Sequence, residues 1–208
     1  MEQLLLALAG AAAAILFGRR QLMRWEMWDR KHAVIFIVTT GIMFFPGGYL
    51  MMRYEYHVLK IVRYWILMFA LLLLAMLDSK KRLIPNKALL VMLGVRTVLL
   101  LPECICFPQL NVEILLSSMA GLVGGGLMFL LAGIIARKGI GMGDVKLIGV
   151  MGYYLGFQVL MSDLIITLTL TVLAGITALL LRKASLRSEM PFAPFVAAGT
   201  MITILMGF

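Results

Sequence analysis

Apolar runs long enough to cross a bilayer recur along almost the whole chain. The barest of them, 65–77, carries no charged residue and ends abruptly at Asp78. A spanning helix needs roughly 17–25 mostly apolar residues. Eight such segments are readable, at about 3–18, 32–52, 58–77, 84–101, 113–136, 146–162, 163–181 and 191–208. With 62% hydrophobic and 14% charged residues and a mean hydropathy of +1.02, the chain is too apolar for an ordinary soluble domain. It is too poor in charge for intrinsic disorder. Long runs, in place of ~10-residue alternating segments, argue against an outer-membrane barrel. The expected fold is all-α: a polytopic transmembrane helical bundle of about eight spans. The boundary between 146–162 and 163–181 is marked only by Ser162 and Asp163. The segment 3–18 is followed by Arg19 and Arg20, not preceded by basic residues, so it reads as a span and not as a cleaved signal.

A net charge of +9 can signal nucleic acid, but its placement here points to a membrane orientation. Arg19, Arg20, Arg24, Arg30 and Lys31 fall in one connection, and Lys80, Lys81, Arg82 and Lys87 in another. Arg137, Lys138 and Lys146 follow, then Arg182, Lys183 and Arg187, so that 15 of the 19 basic residues lie in alternate connections. Eight spans put all four on one side, which the positive-inside rule makes cytoplasmic. Both termini are then expected outside, in a multi-pass protein of the inner (plasma) membrane. The lipid bilayer is an expected partner; nucleic acid is not. Lys60 and Arg63 sit near a span end and Arg96 lies inside a span; all three are expected to snorkel outward. Cys104 and Cys106 have no histidine near them, and no metal site or cofactor is expected.

Two acids stand apart. Asp78 closes the third span and Asp144 precedes the sixth, inside 139–147. They are 66 residues apart in sequence, yet both map to the cytoplasmic ends of spans. Two carboxyls in one site can share a proton, one activating water while the other donates to a carbonyl. The helix dipole would favour charge on Asp144, at a helix start, and disfavour it on Asp78, at a helix end. The expectation is an ionised Asp144 and a protonated Asp78. Taken singly, Asp144 could be only a helix N-cap and Asp78 only the first polar residue of a loop. Gly139, Gly141 and Gly143 leave the backbone beside Asp144 open to an extended substrate. Gly121 and Gly125, one turn apart, suit close helix packing.

Three motifs then carry a resemblance. Gly141-Met142-Gly143-Asp144 matches GxGD, and Val145-Lys146-Leu147 continues it. Asp78 is followed six residues later by Ile84-Pro85-Asn86. Pro191-Phe192-Ala193-Pro194-Phe195 opens the last span. In this order and spacing the chain resembles the type IV prepilin peptidases and archaeal preflagellin peptidases, the GxGD intramembrane aspartyl proteases. The resemblance covers about 58–208 and divides the chain into a two-span extension, 1–57, and a six-span peptidase core. It implies that Asp78 and Asp144 form a catalytic pair needing no metal. It also implies that the chain removes the basic leader from prepilin-like subunits at the cytoplasmic face, cutting just before their hydrophobic helix.

Beside the pair, Gly141, Gly143, Pro85, Asn86, Lys146, Pro191 and Pro194 are candidate site-shaping residues. Pro85 suits a first helical turn, Asn86 could cap that helix or bond near the turn, and Lys146 could snorkel or tune the pair. Pro191 and Pro194 lie on the same side. Many bacterial relatives carry paired CxxC motifs in a cytoplasmic loop and N-methylate the new terminus; this chain has no CxxC, so cleavage without methylation is expected. The connection 19–31 holds Trp25 and Trp28 among basic residues, which suits a membrane surface. Leu77, and not tyrosine, precedes Asp78, unlike presenilin-type enzymes. The alternative reading is a small transporter or proton-linked channel using the aspartates as a relay. It would favour ionisable groups near the midplane and internal repeats.

Overall fold

The computed structural model describes residues 2–25, 30–44, 48–135, 140–181 and 190–207. Within these, every regular element is helical, as an apolar solvent demands of a chain whose backbone groups must pair internally. The helices are α1 (Glu2–Arg24), α2 (Arg30–Ile42), α3 (Gly48–Arg53), α4 (Val58–Lys81), α5 (Asn86–Cys106), α6 (Asn111–Ile135), α7 (Met142–Leu155), α8 (Phe157–Leu180) and α9 (Ala193–Leu205). A single 3-10 turn, Pro108–Leu110, leads into α6. The expected helical membrane bundle is thus observed. By length and apolarity, Val58–Lys81, Asn86–Cys106, Pro108–Ile135 and Phe157–Leu180 can cross a membrane, while Ala33–Ile42 and Ala193–Leu205 are apolar but shorter. Gly139, Arg137, Lys138, Arg182, Lys183, Arg187 and Trp28, invoked above, lie outside the described residues.

The break between the sixth and seventh apolar segments is not at Ser162 and Asp163. It falls at Gly156, whose φ of +82° only glycine adopts freely. Helix α7 is therefore 14 residues long, about 21 Å, and short of a span. From Leu147 to Leu155 it is buried throughout. Asp163 lies inside α8, fully buried, and accepts a hydrogen bond from Thr203 Oγ1 of α9 at 3.2 Å. A polar residue near a helix start is thus not a boundary when a neighbouring helix supplies its partner.

Helix α7 is held by a seam of small residues. A Cβ on Gly121 of α6 would overlap the Gly152 carbonyl, and one on Gly125 would meet Leu160 at 2.6 Å. A Cβ on Gly149 would lie 3.1 Å from the Leu122 carbonyl oxygen. The spacing of Gly121 and Gly125 is therefore used for close packing, as expected. The central core joins α4, α5, α7, α8 and α9 through Tyr64, Leu67, Leu71, Ile148, Met151, Leu160 and Val196.

At one end of the bundle, Arg96 does not snorkel. It is wholly enclosed. Its Nε donates to the Tyr153 carbonyl at 3.0 Å, Nη1 to Glu103 at 2.9 Å and Nη2 to Ser118 Oγ at 3.2 Å. Arg63 turns inward to the same Glu103, at 3.2 Å, instead of reaching out. Lys60 lies over the Tyr56 ring, 3.6 Å from its centroid. The reason is Glu103 itself. Seven residues beyond Arg96, it sits on the same face of α5, and a buried charge with a fixed counter-charge and further donors has no need of water. Cys104 and Cys106, close by, are free thiols.

Three outcomes follow from this packing. Gly121→Ala places a methyl against Gly152 and is expected to destabilise the detergent-solubilised protein by about 1–3 kcal/mol. Gly94→Ala, in open space on α5, is expected to leave thermal unfolding unchanged or raise its midpoint. Glu103→Gln strands two guanidinium groups in the interior, and a loss of ~3–5 kcal/mol is expected in the same assay.

Candidate active site

The end opposite Arg96 is built from two turns that touch. Helix α4 stops where Arg82 takes a left-handed φ of 49° and its N–H bonds back to the Asp78 carbonyl at 2.8 Å. The chain then runs extended through Ile84 to Pro85. Pro85 is not in the first turn of α5 but one position earlier, as its N-cap, and its carbonyl accepts the Ala88 N–H at 3.0 Å. The other turn is the start of α7, capped by Gly141 without a side-chain bond. Gly143 presses on the first turn: a Cβ there would lie 3.2 Å from Ile84 Cβ. A side chain at position 143 would crowd the Ile84 side chain, so the bare glycine lets the two turns meet closely.

This contact sets Asp144, in the first turn of α7, against Asp78, in the last turns of α4. Asp78 lies close enough to act on the charge of Asp144. Asp78 is buried and Asp144 half-buried. Asp144 is not the helix cap; that position is Gly141, and a Cβ on Gly141 would stand 3.1 Å from Asp144 Oδ2. Bare backbone therefore flanks the carboxyl.

A further bridge joins the turns. Lys146 Nζ donates to Asn86 Oδ1 at 3.0 Å, tying α7 to α5. Asn86 thus neither caps α5 nor bonds within its own turn, and Lys146 does not reach for headgroups alone. From a third direction comes α9. Its first residue, Ala193, donates its backbone N–H to Asp78 Oδ2 at 3.0 Å. Pro194 occupies the next position and offers no N–H, while Phe192 packs on Phe129 with centroids 5.9 Å apart. Of the residues singled out from sequence, Asp78, Asp144, Gly141, Gly143, Pro85, Asn86, Lys146 and Pro194 are brought to this end. Pro191 lies two residues before the donor Ala193. Ala193 itself was not foreseen, nor was Ile84 as the contact point.

The helix dipole is not the deciding influence on Asp144. Asp144 lies outside the four apolar spans, and burial, then the neighbouring Asp78, push it from 3.8 up to about 6. A backbone hydrogen bond with Gly141 opposes this but does not prevail. The dipole of one short helix is outweighed by desolvation and a like charge. Asp144 therefore keeps its proton to higher pH than an ordinary aspartate, and Asp78 has the Ala193 N–H as a fixed donor. Such a couple can give one proton and take another, which is the requirement for water attack on a carbonyl.

The chain is similar in sequence to known proteins. The model of the type IV leader peptidase family matches residues 65–180. A prepilin leader peptidase/N-methyltransferase of Bacillus subtilis (strain 168) is 32% identical over 144 residues, covering 66% of this chain and 52% of its own length. A protein of the same description from Pseudomonas aeruginosa is 27% identical over 143 residues, covering 68% and 48%. One from Pseudomonas putida is 37% identical over 71 residues, covering 34% and 25%. The chain spans about half or less of the length of these relatives. No solved structure matches it.

The raised pKa gives a stability signature with a defined sign. The folded chain holds the Asp144 proton more tightly than the unfolded chain, so this carboxyl favours folding most below pH 3.8 and the advantage is lost as pH rises through about 6. Asp144→Asn cannot ionise. Its melting temperature is expected to exceed that of the parent increasingly as pH is raised from about 4 to about 8. A difference independent of pH would refute the raised proton affinity of Asp144.

Proposed function

The chain belongs to the type IV leader peptidase family, and on that premise we propose that it is a membrane-embedded aspartyl endopeptidase cutting the leader from prepilin-like subunits. The observation that carries this reading is the juxtaposition of Asp144, whose carboxyl holds its proton more tightly than usual, with an Asp78 held by a backbone donor. In the proposed reaction Asp78 takes a proton from a water molecule lying between the carboxyls. The hydroxide oxygen bonds to the scissile carbonyl carbon while Asp144 gives its proton to the carbonyl oxygen. The tetrahedral intermediate then collapses: the carbon–nitrogen bond breaks, Asp78 returns its proton to the leaving amine, and Asp144 recovers its own from the hydroxyl.

Substrate binding follows the same chemistry. The open backbone at Gly141 offers an edge to an extended segment around the scissile bond. An apolar groove of about 620 Å³, lined by Phe17 of α1 and Trp25 just beyond it, Phe69 and Leu73 of α4, and Val91 of α5 with Pro85 just before it, would receive the substrate's hydrophobic helix. By the positive-inside rule, Lys80, Lys81, Arg82 and Lys87 at this end support a site facing the cytoplasm, where a basic leader would remain. The residues 1–57 would form an extension to a peptidase core at 58–208. The proposed activity is cleavage alone, without N-methylation.

Co-expression with a prepilin from the same genome tests the reading. The parent chain is expected to remove the leader, and Asp78→Asn and Asp144→Asn are each expected to leave it in place while still inserting in the membrane. Full processing by both variants would end the proposal. Mass spectrometry of the product is expected to show an unmodified amino terminus; a methylated one would overturn the second part.

A further inference from the structure

At the end of the bundle remote from the aspartates lies a second cavity, of about 240 Å³. Its polar wall is Arg63, Glu113, Ser117 and Ser118, and Leu155 and Gly156 contribute where α7 gives way to α8. Its inner wall is weighted to positive charge and its rim carries a negative one. Arg63 and Arg96 share one carboxylate, Glu103. Arg96 is spent, with Nε, Nη1 and Nη2 all engaged. Arg63 is not. Its Nη1 reaches both oxygens of Glu103, at 3.2 and 3.3 Å, but its Nε is buried with no hydrogen-bond partner. A buried donor left unpaired is costly, and the excess positive charge sits with it. Ser118 Oγ accepts from Arg96, so its own proton is free to be donated. Glu113, in the first turn of α6, carries the opposite charge at the exposed rim of the same cavity.

The depth is informative. Arg63 is five residues into α4, about 7.5 Å along the helix, and the cavity faces the junctions where α6 begins and α7 ends. That is the level of lipid headgroups, not of the bilayer midplane.

We propose that this cavity seats the headgroup of a phospholipid bearing both a phosphate and a primary ammonium, of the phosphatidylethanolamine type. The phosphate takes the Nε–H of Arg63 and the hydroxyl of Ser118, and the ammonium donates to Glu113. A singly anionic headgroup satisfies Arg63 but brings nothing to Glu113. A choline headgroup has the charge but no N–H to donate to the carboxylate.

The test uses the whole protein, purified in detergent and supplemented with lipids of identical acyl chains. Phosphatidylethanolamine is expected to raise the thermal unfolding midpoint by several degrees more than phosphatidylcholine or phosphatidylglycerol. Glu113→Gln is expected to reduce the ethanolamine shift to that of phosphatidylglycerol. Arg63→Lys, which keeps the charge but removes Nε, is expected to reduce it as well. Because Arg63→Lys also weakens the Glu103 pair, the rim variant Glu113→Gln decides the matter if the other fails to fold. Equal shifts from the three lipids, or an undiminished ethanolamine preference in Glu113→Gln, would overturn the proposal. Soluble O-phosphoethanolamine is expected to give no shift, since it lacks the chains that hold the headgroup at this depth. A shift as large as that of the lipid would reassign the cavity to a soluble zwitterion and refute the lipid reading.

Discussion

In an apolar solvent a charged side chain must find its partner within the chain, and this requirement organises both ends of the bundle. Glu103 answers it at one end, accepting from Arg96 and Arg63 together. Through Arg96 the same cluster reaches the Tyr153 carbonyl on α7 and Ser118 on α6. Four helices are thereby fixed in register by one carboxylate. At the other end Asp78 answers it through the N–H of Ala193, which ties α4 to the start of α9. Neither arrangement is a surface ion pair whose worth would be screened by water and salt. Both stand where removal of one partner leaves the other buried and unmet.

Between these ends runs α7, and its composition explains how it can serve both. It has Asp144 in its first turn and Tyr153 and Tyr154 in its last. Tyr154 donates its hydroxyl to the Met92 carbonyl at 2.8 Å, so the far end is pinned to α5 as well. Gly149 and Gly152 let α6 lie directly against the backbone. A helix locked at its base and packed without intervening side chains is a rigid carrier for the residue at its tip. That rigidity is what a carboxyl pair needs, because groups that must trade a proton tolerate little misplacement.

Much of this was legible in the sequence. The apolar runs announce a helical membrane bundle, and the two acids at matched depth, with Gly143 and Pro85 beside them, mark the end that the chain turns into a site. What was not legible has identifiable physical causes. The helix break at Gly156 left no mark in hydropathy, because a glycine is as apolar as its neighbours, whereas the polar Asp163 drew the boundary to itself. Arg96 reads as a snorkelling residue until Glu103, seven positions on, is recognised as lying on the same helical face. That spacing was available and would have given the pair. Ala193 carries no side-chain signature at all, since its contribution is a backbone N–H exposed by the start of a helix; Pro194, which supplies no competing donor, was the available hint.

The charge of Asp144 shows how the pair departs from two independent helix ends. A dipole argument treats each aspartate as belonging to its own helix, one at a positive end and one at a negative end. The fold places the two carboxyls in one environment, so the deciding quantities become how far each is desolvated and what each faces. Asp144 faces Asp78, with only one backbone hydrogen bond to Gly141 working to keep it charged. Asp78 faces a backbone donor whose position is fixed by α9. The asymmetry of the pair therefore comes from the third element, a helix some fifty residues downstream of one aspartate and more than a hundred from the other. Its opening Pro-Phe-Ala-Pro-Phe segment is thus part of the electrostatics of the pair, and the division of labour between the carboxyls depends on all three motifs being folded together.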